Sequence, residues 1–258
     1  MIKKNIKIIG VIPARYASSR LPGKPLADIC GKPMIWWVYN QVKKVDEFES
    51  VIVATDDDRI EEYCNSESIA VGRTSDNCPN HIHRVFEVSD MIEADYYVSI
   101  NGDEPLIDAE NIKAVFPKEI IADKPVFFSV YREMKDPAEV LDISNVKIVL
   151  DQSGRCLYQS RFPIPNPKAS IGFKYKKAIG IECFNKLALN FFAHSDMGIL
   201  EKIEDIDHLR FLENGVPILY KKINSESLSV DTKADLEKVA EIIEKRLRET
   251  SYEKSSIN

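Results

Sequence analysis

The sequence has no long apolar segment and no excess of positive charge. Its N-terminal apolar stretch, residues 6–12, is about seven residues long, whereas roughly 20 are needed to cross a bilayer, and no small-residue cleavage site follows it. We expect this stretch to be a buried strand and the protein to be cytoplasmic, with no membrane partner. The formal net charge of −6 also argues against nucleic acid as a partner, because proteins that bind it present basic surfaces.

Cysteine is scarce, with five among 258 residues. Their odd number, wide spacing and lack of any paired motif are typical of reduced thiols rather than of a disulfide framework or a zinc site. Neither the Walker phosphate-loop spacing nor the glycine-rich dinucleotide fingerprint is present. What remains is the composition of an ordinary globular protein, 44% hydrophobic and 29% charged, on a chain long enough to bury a large core.

Strand-like and helix-like segments alternate along the N-terminal part of the chain. The predicted strands are 7–12, 50–54 and 96–100, and the predicted helices are 33–44, 59–66 and 83–92. Such alternation predicts an α/β fold with a parallel, doubly wound sheet, whose ligands lie at the carboxyl ends of the strands.

The alternation of strands and helices ends after residue 125, where predicted strands follow one another with little predicted helix between them. We therefore predict a single domain over residues 1–258 in which residues 126–184 form a smaller mixed α/β lobe or a dimer arm. A helix is predicted over residues 199–213, and the polar residues 250–258 are predicted to be a frayed tail.

The most informative segment is the loop from Pro13 to Pro25, which follows the first predicted strand and reads PARYASSRLPGKP. It carries three cations, Arg15, Arg20 and Lys24, close together in sequence. Such a group suits a polyphosphate, which several cations and backbone N–H groups can hold together, and the prolines would keep the loop rigid. The alternative is a solvated charged loop, which is a common surface feature.

Two carboxylates stand at positions that could hold a ligand. Asp103 ends a predicted strand in the sequence Asn-Gly-Asp-Glu-Pro. Asp231 precedes a predicted helix that begins near Thr232, where Asp235 completes a motif similar to a capping box. Both could instead be turn or cap residues, and for Asp231 alone the capping interpretation is favoured, because Asp is a good cap residue.

Seven blocks of sequence point to a known family. Besides IPARYASSRLPGKPLADICGKPMI, the chain contains VIVATDD, NGDEPLI, NVKIVLD, LYQSRFPIP, LEKIEDIDHLRFLENG and SVDTKADLEKV in this order. Across nearly its whole length the sequence resembles the 3-deoxy-manno-octulosonate (Kdo) cytidylyltransferases, which are related to the acylneuraminate cytidylyltransferases. The resemblance implies a Rossmann-like nucleotidyltransferase fold with a mainly parallel sheet, and a homodimer.

The resemblance also implies a reaction and a set of residue roles. The anomeric hydroxyl of a sugar attacks the α-phosphorus of CTP, which gives pyrophosphate and a CMP-sugar for capsule or lipopolysaccharide. Asp103 and Asp231 are expected to hold Mg²⁺, which prefers hard oxygen ligands, and Arg15, Lys24 and Asp103 are the expected catalytic residues. The expected nucleotide contacts are Ala14, Arg15, Ser18, Arg20, Lys24, Thr74, His81, Arg84 and Asp103.

One segment departs from the family pattern near the nucleotide. Where the family carries Ser-Gly-Thr-Asp/Glu-Arg, only Thr74 and Arg84 remain, with His81 in place of Gly and Ile82 in place of Thr. Contacts to the base or ribose are therefore predicted to differ. His81 and His83 do not by themselves close a zinc site, and a histidine contact to phosphate or to the acceptor is the favoured interpretation.

Acceptor-side positions differ as well. The family's His-x-Gly-x-Tyr ends in Glu182 here, its Gln is Asn101, and its Glu-Gln pair is Asp207-His208, while Arg161 matches the family arginine. These five residues are the predicted acceptor contacts. We hypothesise an acidic acceptor other than Kdo, such as an amino-substituted octulosonate, another ulosonic acid, or a phosphorylated or phosphonate compound. The alternatives are transfer from UTP or another nucleotide, and a nucleotide-binding homologue that has lost catalysis.

Overall fold

The computed structural model describes residues 6–17, 21–169, 172–225 and 227–255. Its strands are β1 Ile8–Ala14, β2 Asp28–Ile29, β3 Lys32–Pro33, β4 Ser50–Thr55, β5 Val71–Arg73, β6 Tyr96–Ile100, β7 Phe127–Glu133, β8 Lys147–Leu150, β9 Cys156–Ser160, β10 Lys176–Phe184 and β11 Ile218–Lys222. Its helices are α1 Met34–Val42, α2 Asp58–Ser66, α3 His81–Met91, α4 Ala109–Lys113, α5 Pro137–Leu141, α6 Lys186–His194, α7 Ile199–Glu204, α8 Leu209–Glu213 and α9 Lys233–Ser255. None of the described helices is long and apolar enough to cross a membrane.

Nine of the described strands form one sheet, which runs β11-β7-β10-β6-β1-β4-β5 and continues from β10 into β8 and β9. β1 is parallel to β4 and β6, and β4 is parallel to β5, which confirms the doubly wound order predicted for this half. β10 runs antiparallel to both β6 and β7. The carboxyl ends of β1, β4 and β6 therefore share one edge of the sheet. At this edge the backbone N–H of Asn101 donates to the Gly180 carbonyl of β10 at 2.9 Å.

The central strands are buried on both faces. Residues of β1 alternate between two apolar clusters, as the pleat of a strand requires. Ile8 and Ile12 pack in a cluster with residues of α1, α2 and α4, whereas Ile9 and Val11 pack in a cluster with residues of α3, α6 and α8. Burial on both faces explains the uninterrupted apolar sequence of this strand and confirms the predicted buried strand.

The segment predicted as a smaller lobe is divided between two places. β7 and β10 lie in the central sheet, while β8 and β9 pair with each other. The link from β8 to β10 has a single register pair, Lys147 with Lys177. The part of residues 126–184 that extends from the central sheet is therefore centred on the β8–β9 hairpin.

Two predicted helices differ from the structure at their boundaries. The helix predicted over 199–213 is broken into α7 and α8, because Asp205 adopts a left-handed backbone with φ 53°. The last helix begins at Lys233, directly after Thr232 of the predicted capping motif, in which the Thr232 backbone amide donates to Asp235 Oδ2 at 2.8 Å. It continues to Ser255, so residues 250–255 of the predicted tail are helical, and residues 256–258 lie outside the described part. Fraying of this tail stays a prediction.

Candidate active site

Three charged side chains from distant parts of the chain meet at the carboxyl edge of the sheet. The Lys24 ammonium nitrogen lies 2.6 Å from Asp103 Oδ2 and 3.2 Å from Asp231 Oδ1. Lys24 opens a short 3-10 helix after β1, Asp103 follows β6, and Asp231 precedes α9. A residue predicted to bind the triphosphate and both residues predicted to bind a metal therefore share one place.

Backbone contacts fix the positions of these side chains. β1 and β6 are adjacent and parallel, so the loops that follow them leave the same edge. A side chain at Gly102 would place its Cβ 3.0 Å from the Pro13 carbonyl oxygen, so glycine allows these two loops to approach each other. The Val230 amide donates to the Asp103 carbonyl at 2.9 Å, which brings Asp231 to the same point.

Lys24 neutralises only part of the negative charge at this place, because it lies between the two carboxylates of Asp103 and Asp231. Asp103 Oδ1 is buried and has no hydrogen-bond partner within the described part of the chain. The neighbouring Glu104 is also buried, and burial together with the Asp103 charge raises the pKa of Glu104. A buried carboxylate oxygen without a partner costs free energy, and hard divalent cations prefer such oxygens. Asp103 and Asp231 are thus able to hold a cation of this kind.

A second polar cluster joins side chains that are remote in sequence. Glu182 accepts hydrogen bonds from two histidines, through Oε2 from His81 Nε2 and through Oε1 from His208 Nε2, both at 2.8 Å. His81 Nδ1 lies 3.4 Å from Asp207 Oδ2, and His208 Nδ1 lies 3.3 Å from the Tyr220 hydroxyl. Each of these two imidazoles therefore has both ring nitrogens in polar contact.

The cluster is formed by β10 and two helix N-termini. Glu182 is buried in β10, His81 is the first residue of α3, and Asp207 and His208 occupy the break between α7 and α8. Burial opposes the charged form of Glu182, but the two histidines outweigh it and lower the pKa of Glu182. Burial also opposes protonation of His81, yet Glu182 and Asp207 raise its pKa to about 10. Glu182 and His81 are therefore an ion pair at neutral pH.

Asp103 and Asp231 of the first group and the carboxylates and histidines of the second polar cluster line one cavity of about 1060 Å³. Its walls also carry five basic residues, which are Arg132, Lys135, Arg161, Lys177 and Lys238. Burial and the neighbouring Arg132 lower the pKa of Lys177, so an anion bound beside this lysine would stabilise its charged form. The cavity has the size of a small-molecule site. Its wall carries ten aspartate and glutamate residues as well as these five cations, so a ligand with an anionic group would bind beside the cations and not to the wall as a whole.

Comparison with known proteins identifies the family. The profile of a family described as cytidylyltransferase matches residues 9–223. The Escherichia coli 3-deoxy-manno-octulosonate cytidylyltransferase is 34% identical over 246 residues, which cover 95% of this chain and 99% of that protein. The mitochondrial 3-deoxy-manno-octulosonate cytidylyltransferase of Arabidopsis thaliana is 37% identical over 245 residues, which cover 93% of this chain and 84% of that protein. The chain belongs to this cytidylyltransferase family.

Solved structures agree with the assignment. A CMP:2-keto-3-deoxy-manno-octonic acid synthetase complexed with CTP matches this cytidylyltransferase with a TM-score of 0.85 and 33% identity, over 93% of this chain and 99% of that one. The inositol-1-phosphate CTP transferase from T. maritima, at 14% identity and a TM-score of 0.66, shares the fold. The predicted Rossmann-like nucleotidyltransferase fold and the predicted family are therefore confirmed.

The residues predicted for the nucleotide surround the ends of β1, β4 and β5. Ala14 is the buried last residue of β1, and Arg15 follows it with an exposed side chain. Arg84 is buried; its guanidinium donates to the Thr74 hydroxyl and lies 3.2 Å from Asp56 Oδ2. Arg84 therefore ties together the residues that follow β4 and β5. The predicted residues that lie outside the described part of the chain are Ser18 and Arg20.

The residues predicted for the acceptor all line the cavity. Glu182, Asp207 and His208 are joined in the second polar cluster. His81, predicted to contact the nucleotide, lies with these acceptor-side residues, and its nucleotide contact stays a prediction. Asn101 lies against Gly180, where a Cβ would be 2.1 Å from Asn101 Nδ2, so a side chain at position 180 would displace it.

The Arg161 guanidinium donates most of its hydrogen bonds to backbone carbonyls. Its guanidinium donates to the carbonyl of Glu204 at 2.8 Å and to that of Asp205 at 2.6 Å. These bonds hold the break between α7 and α8, next to the second polar cluster. The contact with the acceptor that the sequence predicts for Arg161 stays a prediction.

Sequence reasoning missed four cations of the cavity wall, which are Arg132, Lys135, Lys177 and Lys238. Lys177 stands five residues before Glu182 in the same strand, so its place beside the acceptor motif was a usable signal. Arg132 faces it because β7 and β10 pair with Arg132 opposite Lys177. That register is a long-range feature with no local mark in the sequence.

Proposed function

We propose that this cytidylyltransferase transfers the cytidylyl group of CTP to the anomeric hydroxyl of an acidic, Kdo-like sugar used for a surface polysaccharide. An acceptor oxygen bonds to the α-phosphorus, the bond from that phosphorus to the bridging oxygen of the β-phosphate breaks, and pyrophosphate leaves. The main support is the convergence of Lys24, Asp103 and Asp231 beside a cavity whose wall includes five lysine and arginine residues. The similar proteins are named for the same chemistry.

We further propose Mg²⁺ as the cation held by Asp103 and Asp231. The unpartnered, buried Asp103 Oδ1 supports this, since the atom lacks the electrostatic partner that a divalent ion would provide. When bound, the ion would neutralise charge on the triphosphate and on the leaving pyrophosphate. Arg15 and Lys24 would bind the same phosphates, so the enzyme would act by positioning and charge neutralisation without a covalent intermediate.

Pyrophosphate release measured with a panel of acidic sugars tests this function. We expect turnover with CTP to exceed turnover with UTP, ATP and GTP at equal concentrations, and to require a divalent cation. Kdo is the first acceptor of the panel, because the similar proteins are named for it. Absence of pyrophosphate release with every acidic sugar would contradict the proposed function.

An acceptor other than Kdo is the second candidate, and the polar cluster favours it. Four positions that depart from the family pattern contact one another on the cavity wall. His81 contacts Glu182 and Asp207, and Glu182 also contacts His208. Both oxygens of Glu182 already accept from histidines, so this carboxylate is not free to bind an amine. A higher kcat/KM for another ulosonic acid or for a phosphonate than for Kdo would favour this candidate, and the reverse order would exclude it.

We propose that the chain is a homodimer that pairs through the side of the β8–β9 hairpin. Four of the described large apolar residues that are more than half exposed lie within residues 141–162, which contain the hairpin, namely Leu141, Ile143, Leu157 and Phe162. Exposed apolar patches of this kind mark interaction surfaces. Light scattering should give the mass of two chains for the parent protein and of one chain for Phe162→Glu. Leu187→Glu, at an exposed apolar position of α6, is the control and should remain dimeric. A monomeric parent protein would refute this proposal.

A further inference from the structure

We propose that His81, Glu182 and His208 form a second cation site, which takes a divalent transition metal of the zinc type. One ring nitrogen of each histidine and one oxygen of Glu182 lie within 4.8 Å of one another. Two imidazoles and one carboxylate are a ligand set of zinc sites that keep a fourth position open. Because imidazole nitrogen suits zinc and magnesium prefers oxygen, this site differs in chemistry from the Asp103–Asp231 pair.

The three ligands are close to the spacing that a metal requires. Zinc bonds of about 2.0–2.2 Å place two tetrahedral ligand atoms about 3.3 Å apart. The two Nε2 atoms each lie 2.8 Å from an oxygen of Glu182, so side-chain shifts of about an ångström would produce the metal geometry. Each Nε2 now donates a proton to the carboxylate. A metal would take the nitrogen lone pair in place of that proton. His81 is protonated on both ring nitrogens in its ion pair with Glu182, so it would release the proton to solvent, whereas the proton of His208 would move to Nδ1 or leave to solvent.

Outer contacts already orient both imidazoles. A histidine that binds a metal usually donates its other ring N–H to a carboxylate or another acceptor, which fixes the ring and its tautomer. Asp207 lies in that position for His81, and the Tyr220 hydroxyl lies in it for His208. Tyr220 is itself buried and accepts from Gln159 Nε2 at 3.0 Å. Both histidines therefore already have the outer contacts that hold a metal-bound imidazole in place.

The site opens on the cavity that we assign to the acceptor. All three ligands and Asp207 line that cavity. Among the described residues, these three form the one group of at least three His, Cys, Asp or Glu side chains that could hold a metal ion. The fourth position of a tetrahedral ion would therefore be available to an oxygen of a bound molecule. This role in holding the acceptor rests on the proposed function, whereas metal binding itself does not.

Zinc titration of the full chain, freed of metal by chelator and without nucleotide, tests the site. We expect about one zinc per chain by elemental analysis, and a loss of affinity of more than roughly 100-fold in His81→Ala and Glu182→Gln, with about 10-fold in Asp207→Asn. His83→Ala is the matched control, because His83 is on the same helix but bonds Asn80 Oδ1 at 2.8 Å. It should bind zinc like the parent protein.

Cobalt substitution gives an independent measurement. Tetrahedral Co²⁺ should produce visible absorption in the parent protein and in Asp103→Asn, and none in His81→Ala. His81 is partly exposed, so its variant is expected to fold even if Glu182→Gln does not. Failure of the parent protein to retain zinc, or equal retention by His81→Ala and His83→Ala, would overturn the site. Neither measurement depends on CTP turnover, so a failure here leaves the proposed function to its own test.

Discussion

Asp103→Asn is expected to slow pyrophosphate release by roughly 10³-fold while the protein remains folded. The substitution removes the negative charge that faces Lys24 at 2.6 Å and that we propose helps to hold Mg²⁺. A neutral amide oxygen is a weaker ligand for a hard divalent ion than a carboxylate is. Steady-state kinetics at increasing Mg²⁺ concentration measure the loss, and a high concentration should recover part of the rate.

The stability of this variant separates a functional effect from a folding defect. Asp103 shares Lys24 with Asp231 and raises the pKa of the buried Glu104, so removing its charge relieves repulsion. We expect the thermal unfolding midpoint to stay the same or to rise, as at other sites where function opposes stability. Asp123→Asn, an exposed carboxylate in the loop before β7, should change neither quantity. Normal pyrophosphate release by Asp103→Asn would show that the metal assignment is wrong.

Glu201→Ala is expected to lower the free energy of unfolding by about 3–5 kcal/mol. Glu201 and Arg210 form an ion pair whose side chains are 2% and 4% exposed, with hydrogen bonds of 2.7 and 2.6 Å between them. Without Glu201, the buried guanidinium keeps the carbonyls of Phe192 and Ser195 as partners but loses its counter-charge. Urea unfolding followed by circular dichroism measures the difference.

The same ion pair links α7 to α8, and His208 directly precedes α8. We therefore expect Glu201→Ala to raise KM for the acceptor as well. Arg248→Ala, which breaks an exposed pair with Glu244, is the control and should cost no more than about 0.5 kcal/mol. A loss below about 1 kcal/mol for Glu201→Ala would mean that the pair is replaced easily by repacking or water, contrary to the cost of an unpaired buried charge.

The donor side of the site was largely predictable from residues near one another in sequence. Asp103 follows a strand in a parallel sheet, and ligands lie at that end of such strands. Asp231 alone was better explained as a helix cap. In the structure the capping bonds are made by Thr232 and Asp235, and the Asp231 side chain contacts Lys24 instead.

The acceptor side was not predictable in the same way. His81 and His83 look like a pair in the sequence. On a helix, however, side chains two positions apart point in nearly opposite directions, about 200° from each other. The structure instead brings His81 to Glu182, 101 residues away, and to His208. His83 turns to Asn80 and packs its ring against Phe192.

The sequence by itself determined the family, the cation-rich loop from Pro13 to Pro25, the order of most helices and strands and the buried character of β1, because each depends on residues that are neighbours in the chain. Only the tertiary structure decided which remote polar side chains meet. Their meeting depends on the antiparallel placement of β10 between β6 and β7 and on the left-handed backbone at Asp205. Both are set by packing across the whole domain, so neither has a local pattern to predict it.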